Sequence, residues 1–359
     1  MAALPSPDSP TTNLLYDVFA KRFAVRRSRR LGGSSIGAPC DRAKWYAFRW
    51  ASDLRPVDGR HARLRESGTE QEAGILDSIR AAGIELYTIQ PGEEANPLKP
   101  QIHKTSHGGH AVVYLDGIGR GFPEAPAKWH IISVKVMKAA AWRALKKGGV
   151  EAAEPTYYGQ SQFEMALFDI DRAILIARNR DTEEMYVERI RYKAGDANSL
   201  VARAQSIIAT DKPPPKLNND PEWWQCRMCE QSATCHDDVL PPINCRTCLH
   251  STPSLSGDAK WTCALNDSTL SVKRQLVGCE RHVYNPHLLD NWARVEDATE
   301  TGVIYHNDLS GHRFEQGPDG WTSAEMLKMR DCRKQIGEPR LERMKTYFDA
   351  DVLTAESVQ

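Results

Sequence analysis

No stretch of this 359-residue chain reaches about eighteen consecutive apolar residues, the length at which a membrane-spanning helix becomes the natural reading. The opening "MAALPSPDSPTTNLL" has neither the charged start nor the apolar core of an export signal. These absences point to a soluble, cytoplasmic protein without a membrane partner. An excess of charge is missing too, since 47 Lys and Arg meet 47 Asp and Glu. Net charge therefore neither supports nor excludes a polyanionic partner. No internal repeat is visible, and the length suits one main domain with smaller attachments.

What is present is unevenly spread. From Lys21 to Arg49 the chain carries nine basic residues and one acid, Asp41. Trp45, Tyr46, Phe48 and Trp50 are interleaved with them, a mixture suited to contacting phosphates and stacking on bases. On that reading Arg42, Lys44, Trp45 and Arg49 are candidate DNA contacts. A solvated basic helix with a half-buried aromatic face explains the same pattern.

Residues 1–30 read as a polar tail leading into a basic helix, and 31–210 as an α/β core. Residues 211–222, with "DKPPPKLNND", form a linker because three prolines in a row continue neither helix nor sheet. Segments 223–238 and 239–285 are cysteine-rich, and 286–359 form a small terminal unit. Within the core, "SGTEQEAGILDSIRAAG" predicts a helix capped by Ser67, with Glu70 completing a capping box and Gly83 ending it. Ile75, Leu76 and Ile79 form its apolar stripe, and Glu72 shares that face, where a carboxylate needs a partner.

Two strands follow, "HAVVYLDGIGRG" and "WHIISVKVM", then a helix over "TYYGQSQFEMALF" and a hairpin over "DRAILIARNRDTEEMYVERIRY" that turns near Asp181. This order predicts a mixed central sheet flanked by helices. In the last unit "TGVIYHNDLSGHRFEQG" predicts a hairpin and "TSAEMLKMRDCRKQI" a helix.

Metal-assisted phosphodiester hydrolysis needs carboxylates for Mg²⁺ or Mn²⁺ and a group that orients or deprotonates water. In order the chain offers Glu72 on a helix, Asp116 at a strand, Lys135 in the next strand and Gln160 on the following helix. The pairs Gly68 with Glu72, Asp116 with Gly117, the triplet Ser133-Val134-Lys135, and Gln160 with Glu164 resemble the motifs of the PD-(D/E)XK nuclease superfamily, in its RecB-like branch. Two positions depart from the family pattern. Ser133 stands where an acid is expected, and Glu164 where a tyrosine is expected.

The departures pair up if Glu164, one turn beyond Gln160 on the same helix face, replaces the strand acid. Glu151 and Glu154 are weaker candidates for that replacement. The resemblance then implies a restriction-endonuclease-like core in which Glu72, Asp116 and Glu164 hold Mg²⁺ or Mn²⁺, Lys135 positions water and Gln160 steadies the pocket. The rival reading is a catalytically inactive nuclease fold that still binds DNA.

Nine cysteines in a chain of the cytoplasm point to metal rather than disulfides. Cys226, Cys229 and Cys235 need a fourth thiol. With the upstream Cys40 the set resembles the iron-sulfur staple of AddB-type and CRISPR-associated RecB-like exonucleases, which implies a [4Fe-4S] cluster. Cys245, Cys248, Cys263 and Cys279 resemble a zinc ribbon. A single zinc site of Cys226, Cys229, Cys245 and Cys248 has acceptable spacing too. His236, His250 and His282 adjoin these cysteines and are read as surface residues or substitute ligands. Cys332 is read as a buried, unligated thiol.

The nuclease resemblance covers residues 31–238 best. It implies a DNA exonuclease acting on ends or single strands in bacteriophage recombination or replication, in the host cytoplasm, with recombination or replication proteins as partners.

Overall fold

The computed structural model describes residues 9–23, 27–237 and 239–348, and its architecture is mixed α/β. Helix α1 (Pro10–Arg22) leads to the two-residue strand β1 (Leu31–Gly32), α2 (Gly33–Ile36), α3 (Asp41–Phe48) and the long α4 (Gly59–Ala81). Strands β2 (Glu85–Tyr87), β3 (His103–Ser106), β4 (Ala111–Tyr114), β5 (Gly117–Arg120) and β6 (Trp129–Met137) follow. Helices α5 (Ala139–Ala153) and α6 (Pro155–Phe168), strands β7 (Arg172–Asn179) and β8 (Met185–Arg191), and α7 (Ala194–Ala209) complete the core.

The main sheet has the order β2-β5-β6-β7-β8. Within it only β6 and β7 pair in parallel, and α5 with α6 supplies the crossover that parallel pairing requires. Side chains of β6 alternate between two apolar layers. Ile132 and Val134 pack with Ile75, Leu76 and Ile79 of α4. Ile131 and Met137 pack with Trp142 and Leu145 of α5 and Met165 of α6. Ser133 and Lys135 share this second face by alternation.

The hairpin turning near Asp181 is present as antiparallel β7 and β8. Two expectations need correction. The helix carrying Glu72 begins well before Ser67: its cap is Asp58, which accepts from the N–H of Arg60 and His61. Nothing between Gly59 and Ser67 breaks a helix, so Ser67 lies inside it and accepts from Gln71 instead. The stretch "HAVVYLDGIGRG" is two strands rather than one. β4 pairs with β1 and β3, whereas β5 pairs with β2 and β6. The chain passes from one sheet to the other at Leu115 and Asp116.

The cysteine-rich segments are built from α8 (Trp224–Arg227), α9 (Ser232–His236), the small sheet β9 (Ser251–Pro253), β10 (Trp261–Cys263) and β11 (Ser268–Leu270), and α10 (Val272–Val277). They share a core with the first part of the chain. Trp45, Tyr46 and Phe48 of α3 pack in one cluster with Cys235, Cys245, Trp261 and Leu270. Arg246 is sealed inside it, 1% exposed, 3.8 Å from the Trp50 ring centre and 4.8 Å from that of Trp261. Its guanidinium donates to Phe48 O, Arg29 O and Gln275 Oε1. Burial, then Arg29 and Arg49, lower its pKa to about 9.

The terminal unit packs around Trp292, Tyr305, Phe314 and Trp321, in one core with Leu240, Val283 and Tyr284 of the preceding segment. Its sheet is β12 (Ala293–Ala298), β13 (Val303–Asn307) and β14 (His312–Gln316), the last two forming the expected hairpin. The expected helix is shorter, α11 (Ser323–Lys328), followed by a 3₁₀ turn over Arg330–Gln335 and then α12 (Pro339–Phe348). Cys332 is exposed, against the buried thiol expected, because that 3₁₀ turn has no buried residue.

Helix α6 is held close to the end of α2 by glycine on both sides. A Cβ at Gly159 would stand 2.7 Å from Gly37 Cα. Helix propensity alone makes Gly159→Ala stabilising by about 1 kcal/mol. The collision reverses that sign, with an expected net loss of about 1–3 kcal/mol. Urea unfolding of the variant checks it, and a raised midpoint would show that the close approach is not limiting.

Candidate functional site

The site forms where β5 begins against β6. The backbone ladder between these strands stops at the pair Gly117 and Ile132, leaving the Val134 N–H without a β5 carbonyl. The Asp116 side chain takes its place, with Oδ2 accepting from Val134 N at 2.7 Å. This bond fixes the carboxylate beside the strand that carries Ser133 and Lys135.

Helix α6 brings Glu164 inward, 2% exposed, and Gln160, 7% exposed. Gln160 Nε2 donates to Glu164 Oε1 at 2.7 Å. Lys135 Nζ lies 5.2 Å from the centre of the Tyr157 ring, one turn earlier on α6. Glu72 approaches from α4 on the other side of the sheet, half-buried. Gly68 lies inside α4 and lines nothing here.

The electrostatics tie these groups into one cluster. Burial pushes Glu164 up to about 8; Gln160 and Lys135 oppose the rise and Asp116 adds to it. Burial likewise raises Glu72 to about 7, with Asp116 adding and Lys135 opposing. Asp116 is raised by burial, against Lys135 and the Val134 N–H. Glu72 and Glu164 thus each sense Asp116 and Lys135. Glu151 is engaged elsewhere, with Lys193 at 2.8 Å.

The four proposed DNA contacts near the start are not available to DNA as a group. Lys44 is buried and donates to Ala38 O and to Asp41, the latter at 3.0 Å. Trp45 is fully buried, its Nε1 donating to Thr210 O. Arg49 is buried and holds Thr210 O and Asp211. Arg42 is partly exposed and holds Tyr46 Oη and Pro214 O. The aromatic residues drew these cations into the core, where backbone carbonyls and ring faces replace water. The sequence carried no sign of the carbonyls that hold Arg42, Trp45 and Arg49, which come from residues 210–214.

Eight of the nine cysteines fall into two clusters. Cys40, at the cap of α3, lines one cavity with Cys226, Cys229 and Cys235. Cys245, Cys248, Cys263 and Cys279 line another. The rival set of Cys226, Cys229, Cys245 and Cys248 is not brought together. Burial, then Cys248, Cys279 and Cys263, push the Cys245 thiol up to about 11. Among the described residues no group of three or more His, Cys, Asp or Glu is arranged to hold a metal ion as it stands. His236 borders the first cavity and His250 the second. His282 is buried rather than on the surface, its ring bonded to Thr247 Oγ1 and Ser323 Oγ.

No family model matches the chain, and no curated protein matches it. Solved structures similar to it include that of SSO0001, at 17% identity over 63% of this chain and 96% of that one, with a TM-score of 0.35. LHK-Exo in complex with dAMP is 14% identical over 54% of this chain and 90% of that one, with a TM-score of 0.34. The alkaline exonuclease LHK-Exo from Laribacter hongkongensis gives 12%, 54%, 91% and 0.33. At these TM-scores none of the three bears on the activity of this chain. No helix among the described residues is long and apolar enough to cross a membrane.

The raised Glu164 predicts a pH signature. Below the ordinary carboxyl value of 4.5 the folded and unfolded chains are both protonated there. From there to about 8 the folded state keeps a proton that the unfolded state has released, so metal-free stability falls as pH rises through this window. Subtracting the urea midpoints of Glu164→Gln from those of the wild type across pH 4 to 8 isolates this slope. Parallel curves would show that Glu164 is not raised.

Proposed function

We propose that the chain is a metal-dependent DNA nuclease of the RecB-like PD-(D/E)XK type, in which Glu164 supplies the acid that Ser133 lacks. The convergence of Glu164 with Asp116, Glu72 and Lys135 carries this reading. The three acids do not hold a cation as they stand; binding of a divalent cation would draw Glu72, Asp116 and Glu164 together and return each of them to the ionised form. Bound there, Mg²⁺ or Mn²⁺ would polarise the phosphodiester and lower the pKa of a coordinated water.

The other roles belong to the chain itself. Lys135 would orient the attacking water and offset charge developing on the phosphate. Tyr157 braces its ammonium group, Gln160 orients Glu164 through its amide, and the Val134 N–H holds Asp116. Ser133 leaves room on the same face of β6 for the acid arriving from α6.

The thiol sets extend the reading. Four thiols around one cavity repel each other as thiolates, and a bound cation reverses that repulsion. Cys40, Cys226, Cys229 and Cys235 would hold a [4Fe-4S] cluster, and Cys245, Cys248, Cys263 and Cys279 a zinc ion. The cluster would join α3 to α8 and α9, closing a long loop of chain. The reading places the protein in DNA-end processing, in the phage recombination or replication setting that the motifs imply.

Cleavage of linear DNA with Mn²⁺ tests the proposal. Asp116→Ala, Lys135→Ala and Glu164→Gln are each expected to lose at least about 100-fold in rate, on the scale of removing one group that stabilises transition-state charge. DNA binding by the wild type without metal-dependent cleavage would leave the inactive, DNA-binding reading in place. Iron, sulfide and zinc counts on anaerobically purified protein test the thiols. Cys226→Ser should lose iron and keep zinc, and Cys263→Ser the reverse. A colourless, zinc-only wild type would remove the cluster.

A further inference from the structure

We propose that the exposed side of α5 is a docking surface for the phosphate backbone of duplex DNA, formed by Arg143 and Lys147 on the helix and by Lys138, the residue that caps its start. The inference rests on the reading of the chain as a DNA-acting protein. It replaces the buried cations of α3 with ones that solvent can reach.

Residues 125–150 contain Lys128, Lys135, Lys138, Arg143, Lys146 and Lys147 and no acid. Trp142, Leu145 and Val150 anchor α5 in the core, while Lys138, Arg143, Lys146 and Lys147 are exposed. Arg143 and Lys147 lie one turn apart on one face. Ala140, Ala144 and Gly148, also exposed, repeat at four-residue spacing beside them, so the surface between the cations is low enough for a backbone to come close.

Two nearby acids bond the ends of α5 itself and a third pairs with Lys193, none of them through Lys138, Arg143 or Lys147. Asp181 accepts from Ala139 N, Glu188 from Val150 N and Tyr186 Oη, and Glu151 pairs with Lys193. The helix starts just after Lys135. From Lys138 to Lys147 it runs about 14 Å at 1.5 Å per residue, roughly four base-pair steps of one strand. The choice of duplex follows from the aromatic content. Trp142, the aromatic residue of this helix, is 3% exposed, so the face offers phosphate contacts and no platform for unstacked bases.

Binding to a 30-bp duplex across a salt series in EDTA reads this surface whether or not the chain cleaves DNA. The triple variant Lys138→Gln, Arg143→Gln, Lys147→Gln is expected to lower the salt slope by about 2.7, and Arg143→Gln alone by about 0.9, at roughly 0.9 per phosphate contact. Affinity for a 30-nucleotide single strand should weaken less. A control with Lys334, Arg340 and Arg343 changed to Gln should keep the wild-type slope.

An unchanged slope in the triple variant, an equal loss in the control, a larger loss on single strands, or a wild type that does not bind duplex would each overturn the surface. Intact Mn²⁺-dependent cleavage with an unchanged slope would do so while sparing the nuclease reading. A lost slope in a chain that never cleaves would do the opposite.

Discussion

A carboxylate cannot stay charged in a dry interior without a cation or donors beside it, and the end of β6 is organised around that condition. Glu164 is the most enclosed of the three acids, and each of its neighbours answers its burial in a different way. Gln160 donates a hydrogen bond, Lys135 supplies positive charge, and Asp116 works against both. None of these features has an evident packing purpose alone, and together they define a cluster whose charge depends on protons.

Much of this arrangement was legible because it is local. The three- and four-residue spacing of Tyr157, Gln160 and Glu164 put them on one side of a helix, and they share that side in the fold. The apolar run around Lys135 gave the central strand, and the turn near Asp181 gave the hairpin. What stayed hidden depends on distant partners. Asp116 sits at a change of sheet, which period-two alternation along "HAVVYLDGIGRG" does not disclose. The cap at Asp58 was missed because Ser67 with Glu70 imitates a helix start inside a longer helix.

The basic aromatic stretch is the instructive failure. Cations among tryptophans suit nucleic acid and suit a core equally well, and composition cannot separate the two. The carbonyls of residues 210–214, with Arg246 and Trp261, decide it, and all of these lie far along the chain. The exposed cations of α5, by contrast, stand beside a single aromatic residue, Trp142, which is buried.

The cluster around Arg246 also sets where this molecule can be divided. Phe48 and Trp50 from the beginning of the chain face Trp261 across that one guanidinium. A fragment ending at Thr210 would keep all five strands of the main sheet and every acid of the pocket. It would also bare the greasy underside of α3 to water, inviting self-association. Minimal fragments of this protein that keep the acid cluster therefore have to include residues 239–285 as a structural wall.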